Sequence, residues 1–134
     1  MSADTRPLAL IADDDPDYLE QMRLWFEREG FEVAAAGSEL EARTLLRRRR
    51  PDVAVVDLMM ERLDAGFTLA HAVKQTDPAI PVLLITGVTA ETGLDFEATS
   101  PEGRPWIKAD AVLAKPVRFE QVRRELERLG VRRG

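Results

Sequence analysis

The sequence predicts an α/β domain in which five parallel strands form one sheet with helices on both of its faces. Two observations support this fold class: short apolar runs alternate with amphipathic helical patterns along the chain, and the first run, residues 8–12, is apolar on both faces, as buried parallel strands are. At 134 residues the chain is expected to be a single domain. The predicted strands are residues 8–12, 31–36, 53–57, 81–86 and 111–116.

The helices between these strands are predicted from apolar spacing and from capping residues. The first is expected to run from Pro16 to Glu29, with Asp15 as its N-cap and Gly30 ending it. The second begins at a Ser38–Glu41 capping box and ends near Arg50, the third covers 67–75, and the last begins near Phe119. The residues expected to face the core are Leu19, Met22 and Phe26; Leu40, Ala42, Leu45 and Leu46; Phe67, Leu69, Ala70 and Val73; and Phe119, Val122, Leu126 and Leu129.

Composition excludes several classes of protein. The formal net charge is -5 and the pI is about 5.0, which argues against non-specific nucleic-acid binding by the whole surface, and no direct nucleic-acid partner is expected. The chain has no cysteine, no signal-peptide pattern and no apolar run near the ~20 residues of a membrane span, so a cytoplasmic location is expected.

Two features have both a functional and a structural interpretation. The run of arginines at 47–50 could bind an acidic partner, but positive charge at a helix C-terminus is favourable by itself, and we favour that explanation. His71 could accept a phosphoryl group, but a lone histidine on a helix is more often a surface residue.

Reactive side chains stand at the carboxyl ends of four of the predicted strands. Asp13 and Asp14 follow the first strand, Asp57 ends the third, Thr86 ends the fourth and Lys115 ends the fifth. In a parallel sheet these ends share one edge, beside the point where the strand order reverses. We therefore expect one site that combines carboxylates, a hydroxyl and an ammonium.

The residue types indicate phosphoryl chemistry. Carboxylate oxygens suit Mg²⁺, and an ion among them would relieve their mutual repulsion. One carboxylate could then act as the nucleophile on a phosphoryl group, and Asp57 is the better candidate because it is single and central in the sheet. Lys115 and Thr86 would contact the phosphoryl oxygens.

This set of residues resembles the receiver domain of two-component response regulators. The family has an acidic pair after strand one, a phosphorylated Asp after strand three, Ser or Thr after strand four and Lys-Pro after strand five. Here these positions are Asp13–Asp14, Asp57, Thr86 and Lys115–Pro116. The resemblance implies the doubly wound strand order 2-1-3-4-5 of a flavodoxin-like, three-layer α/β/α fold.

The resemblance also implies a mechanism and partners. A sensor histidine kinase or phosphotransfer protein would transfer a phosphoryl group to Asp57 with Mg²⁺ bound by Asp13, Asp14, Asp57 and the backbone carbonyl of Met59. The bond before Pro116 would be cis. The domain would be a signalling protein and not an enzyme, apart from catalysing its own phosphorylation and dephosphorylation. It would act by changing its affinity for a downstream protein, and a homodimer stays possible.

Several positions depart from the family pattern. Glu61 replaces a common proline after Asp57, and Ala65 looks like an extra residue in the same loop. Val112 occupies the place of the usual switch aromatic, so the rotation of a ring toward Thr86 cannot occur there. Thr86 and Lys115 are 29 residues apart, which is more than usual, and residues 91–110 are expected to form a shortened helix and a long loop pinned by Phe96 and Trp106. Apolar Met59 and Val88 replace polar groups that would orient water, which predicts slow self-dephosphorylation.

Three alternatives share parts of this pattern. A haloacid-dehalogenase-type phosphatase also uses an Asp nucleophile with Mg²⁺, but it normally needs further acidic residues and a longer chain. A flavodoxin would need a phosphate-binding loop where this chain is acidic. A degenerate receiver would bind partners without phosphorylation, against which the complete set of site residues argues. The last helix ends near Gly130, so a stand-alone receiver without an effector domain is expected.

Overall fold

The computed structural model describes residues 6–57, 65–86, 110–115 and 117–131. Five parallel strands form one sheet in the order β2-β1-β3-β4-β5, as expected. Both the fold class and the strand order are thereby confirmed. The strands are β1 (Leu8–Ala12), β2 (Glu32–Ala36), β3 (Val53–Asp57), β4 (Val82–Thr86) and β5 (Ala111–Ala114).

Four helices cover the sheet within the described residues. They are α1 (Pro16–Arg28), α2 (Glu39–Arg48), α3 (Ala65–Thr76) and α4 (Phe119–Arg128). Each boundary lies within two residues of the predicted one. The predicted helix and loop between residues 87 and 109 lie outside the described residues. No helix in the described part of the chain is long and apolar enough to span a bilayer.

Side chains alternate between two separate core layers, because successive residues of a strand point to opposite faces of the sheet. In the described part of the chain the buried side chains under α2 and α3 are aliphatic, and we call this the aliphatic layer; it includes Leu10, Val56, Leu69, Val73 and Leu84. The layer under α1 and α4 contains most of the rings, and we call it the aromatic layer; it includes Met22, Trp25, Phe26, Phe31 and Val122.

The rings of the aromatic layer contact one another directly. Phe26 meets Trp25 and Phe31 edge-to-face, with ring centroids 4.9 and 5.0 Å apart. Trp25 also stacks on Phe119 at 5.3 Å, which joins α1 to α4 across the layer. This contact holds the amino end of α4 against the last turn of α1.

Predicted helix caps form, with one change of partner. The Asp15 carboxylate accepts hydrogen bonds from the backbone N–H groups of Asp17 and Tyr18 at 3.0 and 3.3 Å, and the Ser38 hydroxyl accepts one from Glu41 at 3.1 Å. The reciprocal bond of the capping box differs from expectation, because the Glu41 carboxylate accepts from Gly37 N–H at 2.7 Å. Both helices are still held at their first turn.

The prediction for Leu40 was wrong, since its side chain is 71% exposed. The inward face of α2 is set by Ala42 and Leu46, which lie one turn apart. Leu40 lies two residues before Ala42, about 200° around the helix, and so points to solvent. Trp25 was not predicted to face inward but is buried between Met22 and Phe119, because a wide apolar stripe includes it.

The arginine run divides into two functions. Arg47 and Arg48 lie in the last turn of α2, where positive charge is favourable. Arg49 pairs with Glu32 at 2.8 Å and Arg50 with Asp77 at 2.7 Å, so the chain after α2 is tied to neighbouring segments. His71 is exposed on α3, which is the surface position predicted for it.

Candidate functional site

Three aspartates meet at the carboxyl edge of the sheet. Asp13 directly follows β1, and Asp57 is the last residue of the adjacent β3. Both are buried, at 3% and 4% exposure, whereas Asp14 is exposed. Each of the three offers a carboxylate oxygen, and these oxygens all lie within 4.8 Å of one another. The acidic pair and the strand-three aspartate are therefore brought together as the sequence predicted.

Lys115 places its ammonium between the two buried carboxylates. Nζ lies 3.3 Å from an oxygen of Asp13 and 3.5 Å from an oxygen of Asp57. The backbone N–H of Lys115 donates to the carbonyl of Thr86 at 2.8 Å, which anchors the base of the side chain beside the end of β4. The lysine thus follows the edge strand directly and reaches across β4 to the centre of the sheet.

The charges around Lys115 outweigh its partial burial. Burial is the largest single influence and acts to lower its pKa, but the carboxylates of Asp57 and Asp13 together raise the pKa of Lys115 above its usual range. The side chain consequently carries a full positive charge at neutral pH. It is a fixed cation facing the nucleophile candidate.

Local hydrogen bonds separate the functions of the consecutive aspartates. The Asp13 carboxylate accepts the backbone N–H of Asp15 at 2.9 Å, which orients it toward Lys115. The Asp15 carboxylate caps α1 and is not one of the three carboxylates of the cluster. Asp14 stays open to solvent between them. Of the three residues, Asp13 and Asp14 face the site and Asp15 holds the helix.

Thr86 ends β4 as a buried residue at 2% exposure, one position beyond the residue paired with Asp57. Val112, at the expected switch position, pairs with Leu84 and packs against the aliphatic layer. The other residues implied by the family resemblance lie outside the described residues: the Met59 carbonyl, Val88 and the cis bond before Pro116.

Tyr18 is a site neighbour that sequence reasoning missed. Its ring lies in the first turn of α1, with the Lys115 ammonium 4.6 Å from the ring centroid. Its hydroxyl accepts the backbone N–H of Val117 at 3.3 Å. Burial is the main cause that raises the pKa of Tyr18, so the phenol is neutral at physiological pH. The signal available in the sequence was its place three residues after the Asp15 cap, beside the strand ends.

Taken together, the described site holds three carboxylates and one ammonium. This leaves an excess of negative charge on hard oxygen ligands, which suits a small divalent cation. The buried carboxylate of Asp57 lies within this cluster, 3.5 Å from the Lys115 ammonium. The arrangement fits a carboxylate nucleophile flanked by a cation site and a fixed positive charge.

Comparison with known proteins identifies the family. The family model of the response regulator receiver domain matches residues 9–127. The chain belongs to the response regulator receiver family. This membership supports the receiver interpretation over the phosphatase and flavodoxin alternatives.

Individual relatives agree with this assignment. The receiver is 37% identical over 100 residues to the heme response regulator HssR of Staphylococcus saprophyticus, covering 69% of this chain and 44% of that protein. It is 35% identical over 89 residues to the probable transcriptional regulatory protein TcrX of Mycobacterium tuberculosis, covering 66% of this chain and 38% of that protein. The chain thus spans less than half the length of either relative. The receiver domain of the Francisella response regulator 1452 superposes with a TM-score of 0.75 at 27% identity, covering 92% of this chain and 96% of that one.

Proposed function

We propose that this receiver accepts a phosphoryl group on Asp57 and signals through the resulting change in partner affinity. The observation that carries the proposal is the position of Asp57, a buried carboxylate 3.5 Å from the Lys115 ammonium and beside the Asp13–Asp14 pair. A buried carboxylate held next to a fixed cation is available to attack phosphorus while the cation contacts a phosphoryl oxygen.

The transfer would begin from a phosphohistidine on a sensor kinase or a phosphotransfer protein. An Asp57 carboxylate oxygen forms a bond to phosphorus as the phosphorus–nitrogen bond breaks, and the electron pair leaves with the imidazole, which retains a proton. The product is an acyl phosphate on Asp57. Lys115 would pair with one phosphoryl oxygen, and the Thr86 hydroxyl would donate a hydrogen bond to another.

Asp13, Asp14, Asp57 and the backbone carbonyl of Met59 would hold Mg²⁺. The donor set fits, since one lysine cannot neutralise three carboxylates among the described site residues. When bound, the ion supplies positive charge that offsets the charge of the incoming phosphoryl group. Asp13 is already oriented for this by the N–H of Asp15.

The output would be altered binding of a downstream protein, with no separate enzymatic activity. The two relatives described above are longer regulators, one of them named as transcriptional, so an effect on DNA through another domain or protein is compatible with a receiver that does not itself bind nucleic acid. A phosphorylation-dependent homodimer would fit the same output. Slow self-dephosphorylation stays a prediction from Met59 and Val88.

The test is intact-mass analysis after incubation with acetyl phosphate and Mg²⁺. The wild-type chain should gain one phosphoryl group, and Asp57→Asn should gain none. Asp17→Asn is the matched control, because this exposed carboxylate lies in α1 outside the cluster and its loss should leave the adduct intact. An adduct that persists in Asp57→Asn would contradict the assignment, and no adduct in the wild type would favour a receiver that acts without phosphorylation.

A further inference from the structure

The ring of Tyr18 forms a wall of the lysine site that comes from α1 and not from the sheet. We propose that Tyr18 is a positioning residue that holds the Lys115 ammonium against Asp13 and Asp57 and couples its position to the segment after β5. This inference rests on the proposed function, because its consequence for signalling needs a phosphoryl group at Asp57. The positioning itself exists in the unphosphorylated chain and can be tested there.

The carboxylates alone do not fix the ammonium. Its two contacts with carboxylate oxygens, 3.3 and 3.5 Å, are longer than the 2.7–2.9 Å typical of charge-assisted hydrogen bonds. Lysine has a flexible four-carbon stem, so such loose contacts permit several rotamers. The Tyr18 ring centroid lies 4.6 Å from Nζ, within the range at which a ring face attracts a cation. The ring therefore restricts Lys115 on the side where no carboxylate does.

Tyr18 is itself held at both ends of its side chain. Its backbone N–H donates to the Asp15 cap, and its ring packs with the aromatic layer. Its hydroxyl accepts the backbone N–H of Val117, two residues after Lys115. One side chain thus contacts the lysine before the fourth helix and the backbone that leads into that helix.

This arrangement offers a route from the site to the outer surface. Any movement of the Lys115 ammonium toward a phosphoryl oxygen would alter its contact with the Tyr18 ring, and the hydrogen bond from Val117 links that ring to the backbone that leads into α4. Val112 cannot supply this coupling, because it is aliphatic and packs in the opposite core layer. Among the described residues, the aromatic contact to Lys115 therefore comes from α1.

Two substitutions separate the ring from the hydroxyl. Tyr18→Phe keeps the ring over Lys115 and removes the acceptor for Val117, whereas Tyr18→Leu removes both. With acetyl phosphate and Mg²⁺, Tyr18→Leu should be phosphorylated about fivefold more slowly than wild type, as expected for loss of one cation–π contact. Tyr18→Phe should keep the wild-type rate but show faster hydrogen exchange at the Val117 amide. Equal rates for wild type and Tyr18→Leu would overturn the positioning role, and unchanged Val117 exchange in Tyr18→Phe would overturn the coupling.

A second measurement does not depend on phosphorylation. Limited acetylation without Mg²⁺, followed by peptide mass analysis, reports how freely each lysine reacts. Lys115 should be acetylated severalfold faster in Tyr18→Leu and at the wild-type rate in Tyr18→Phe, with Lys74 as an internal reference held by Asp110 at 2.8 Å. An unchanged Lys115 rate in Tyr18→Leu would contradict the proposal. If the wild type took up no phosphoryl group, the proposed function would be wrong. The acetylation rate of Lys115 would still decide whether Tyr18 positions the ammonium.

A third measurement leaves Tyr18 in place and covers the case in which Tyr18→Leu does not fold. Tyr18 is the single tyrosine of the chain, so labelling with 3-fluorotyrosine gives one fluorine resonance. Substituting Lys115→Met should shift that resonance, because the cation over the ring is removed. A resonance that is the same in both proteins would overturn the contact on which the proposal depends.

Discussion

Two lysines at opposite edges of the sheet are each held by aspartate, but in different ways. At the amino edge, Lys74 donates to Asp110 at 2.8 Å and to the carbonyls of Ile80 and Pro78 at 2.7 and 3.2 Å. At the carboxyl edge, Lys115 lies 3.3 and 3.5 Å from two carboxylates and against a ring. The first ammonium has three acceptors for its three N–H groups, whereas the second, as far as the described residues go, has only these longer contacts with oxygen.

The two geometries separate a cation whose hydrogen bonds are satisfied from one that we propose contacts a phosphoryl group. Asp110 also accepts the N–H of Val82, so the Lys74 cluster joins α3 to the first residue of β4 with its hydrogen bonds satisfied. The Lys115 cluster keeps an excess of negative charge, and the contacts of its ammonium are long. A bound cation can therefore lower the electrostatic repulsion in this cluster. The sequence predicts Lys115 at a strand end and Lys74 within the third helix, but it does not specify the acceptors around either ammonium.

The largest effect should separate the two lysines in the rate of phosphorylation. Lys115→Met removes the cation that faces the incoming phosphoryl group, and we expect the rate with acetyl phosphate to fall about 100-fold, as when one stabilising donor is removed from an active site. Lys74→Met should react at nearly the wild-type rate. The measurement is the time course of phosphoprotein by intact mass. Equal rates for the two variants would contradict the functional assignment of Lys115.

The next effect concerns stability, and here we expect Lys74→Met to lose more than Lys115→Met. Lys74→Met leaves Asp110 without its cation and two carbonyls without a donor in a site where Lys74 is only 16% exposed. We expect a loss of about 1–3 kcal/mol in the free energy of unfolding. With Mg²⁺ present, Lys115→Met should lose less of its free energy of unfolding, because the bound ion would neutralise the carboxylates of Asp13 and Asp57 in place of the ammonium. Urea unfolding of both variants checks this, and a larger loss for Lys115→Met in Mg²⁺ would reverse the comparison.

Much of this molecule could be predicted from short patterns. The strand ends at Asp13, Asp57, Thr86 and Lys115 came from apolar runs with known periodicity, and a parallel sheet brings such ends to one edge by topology alone. The Asp15 cap followed from its place before Pro16. These features depend on local sequence and on one rule of sheet geometry, so no knowledge of side-chain packing was needed.

The features that were missed depend on packing. Whether Leu40 or Trp25 faces inward is decided by how α1 and α2 are rotated against the sheet, and apolar character does not specify a rotation. The Tyr18–Lys115 contact joins residues 97 positions apart through a choice of rotamer. Likewise, the two acceptors of Lys74 besides Asp110 are backbone carbonyls, which any sequence supplies.

A smaller effect should appear in the response of stability to Mg²⁺. The metal and the Lys115 ammonium neutralise the same carboxylates, so Mg²⁺ should raise the melting temperature of Lys115→Met more than that of the wild type. Lys74→Met should gain as much as the wild type, since Asp110 lies at the opposite edge of the sheet. Thermal unfolding with and without millimolar Mg²⁺ is the measurement. A gain for Lys115→Met no larger than the wild-type gain would argue that the ion binds elsewhere.

The smallest effect is the pH dependence of the stability that Lys115 contributes. In the folded chain the neighbouring carboxylates raise the pKa of Lys115 above its ordinary value of 10.5, despite opposition from burial. A raised pKa means that the folded state binds the proton more tightly, so the contribution is fully present below pH 10.5 and is lost as pH rises through the folded pKa. Without Mg²⁺, the difference in urea midpoint between wild type and Lys115→Met should thus stay constant from neutral pH to about pH 10 and shrink above it. A difference that already shrinks between about pH 7 and 9 would show that burial outweighs the two aspartates and depresses the pKa.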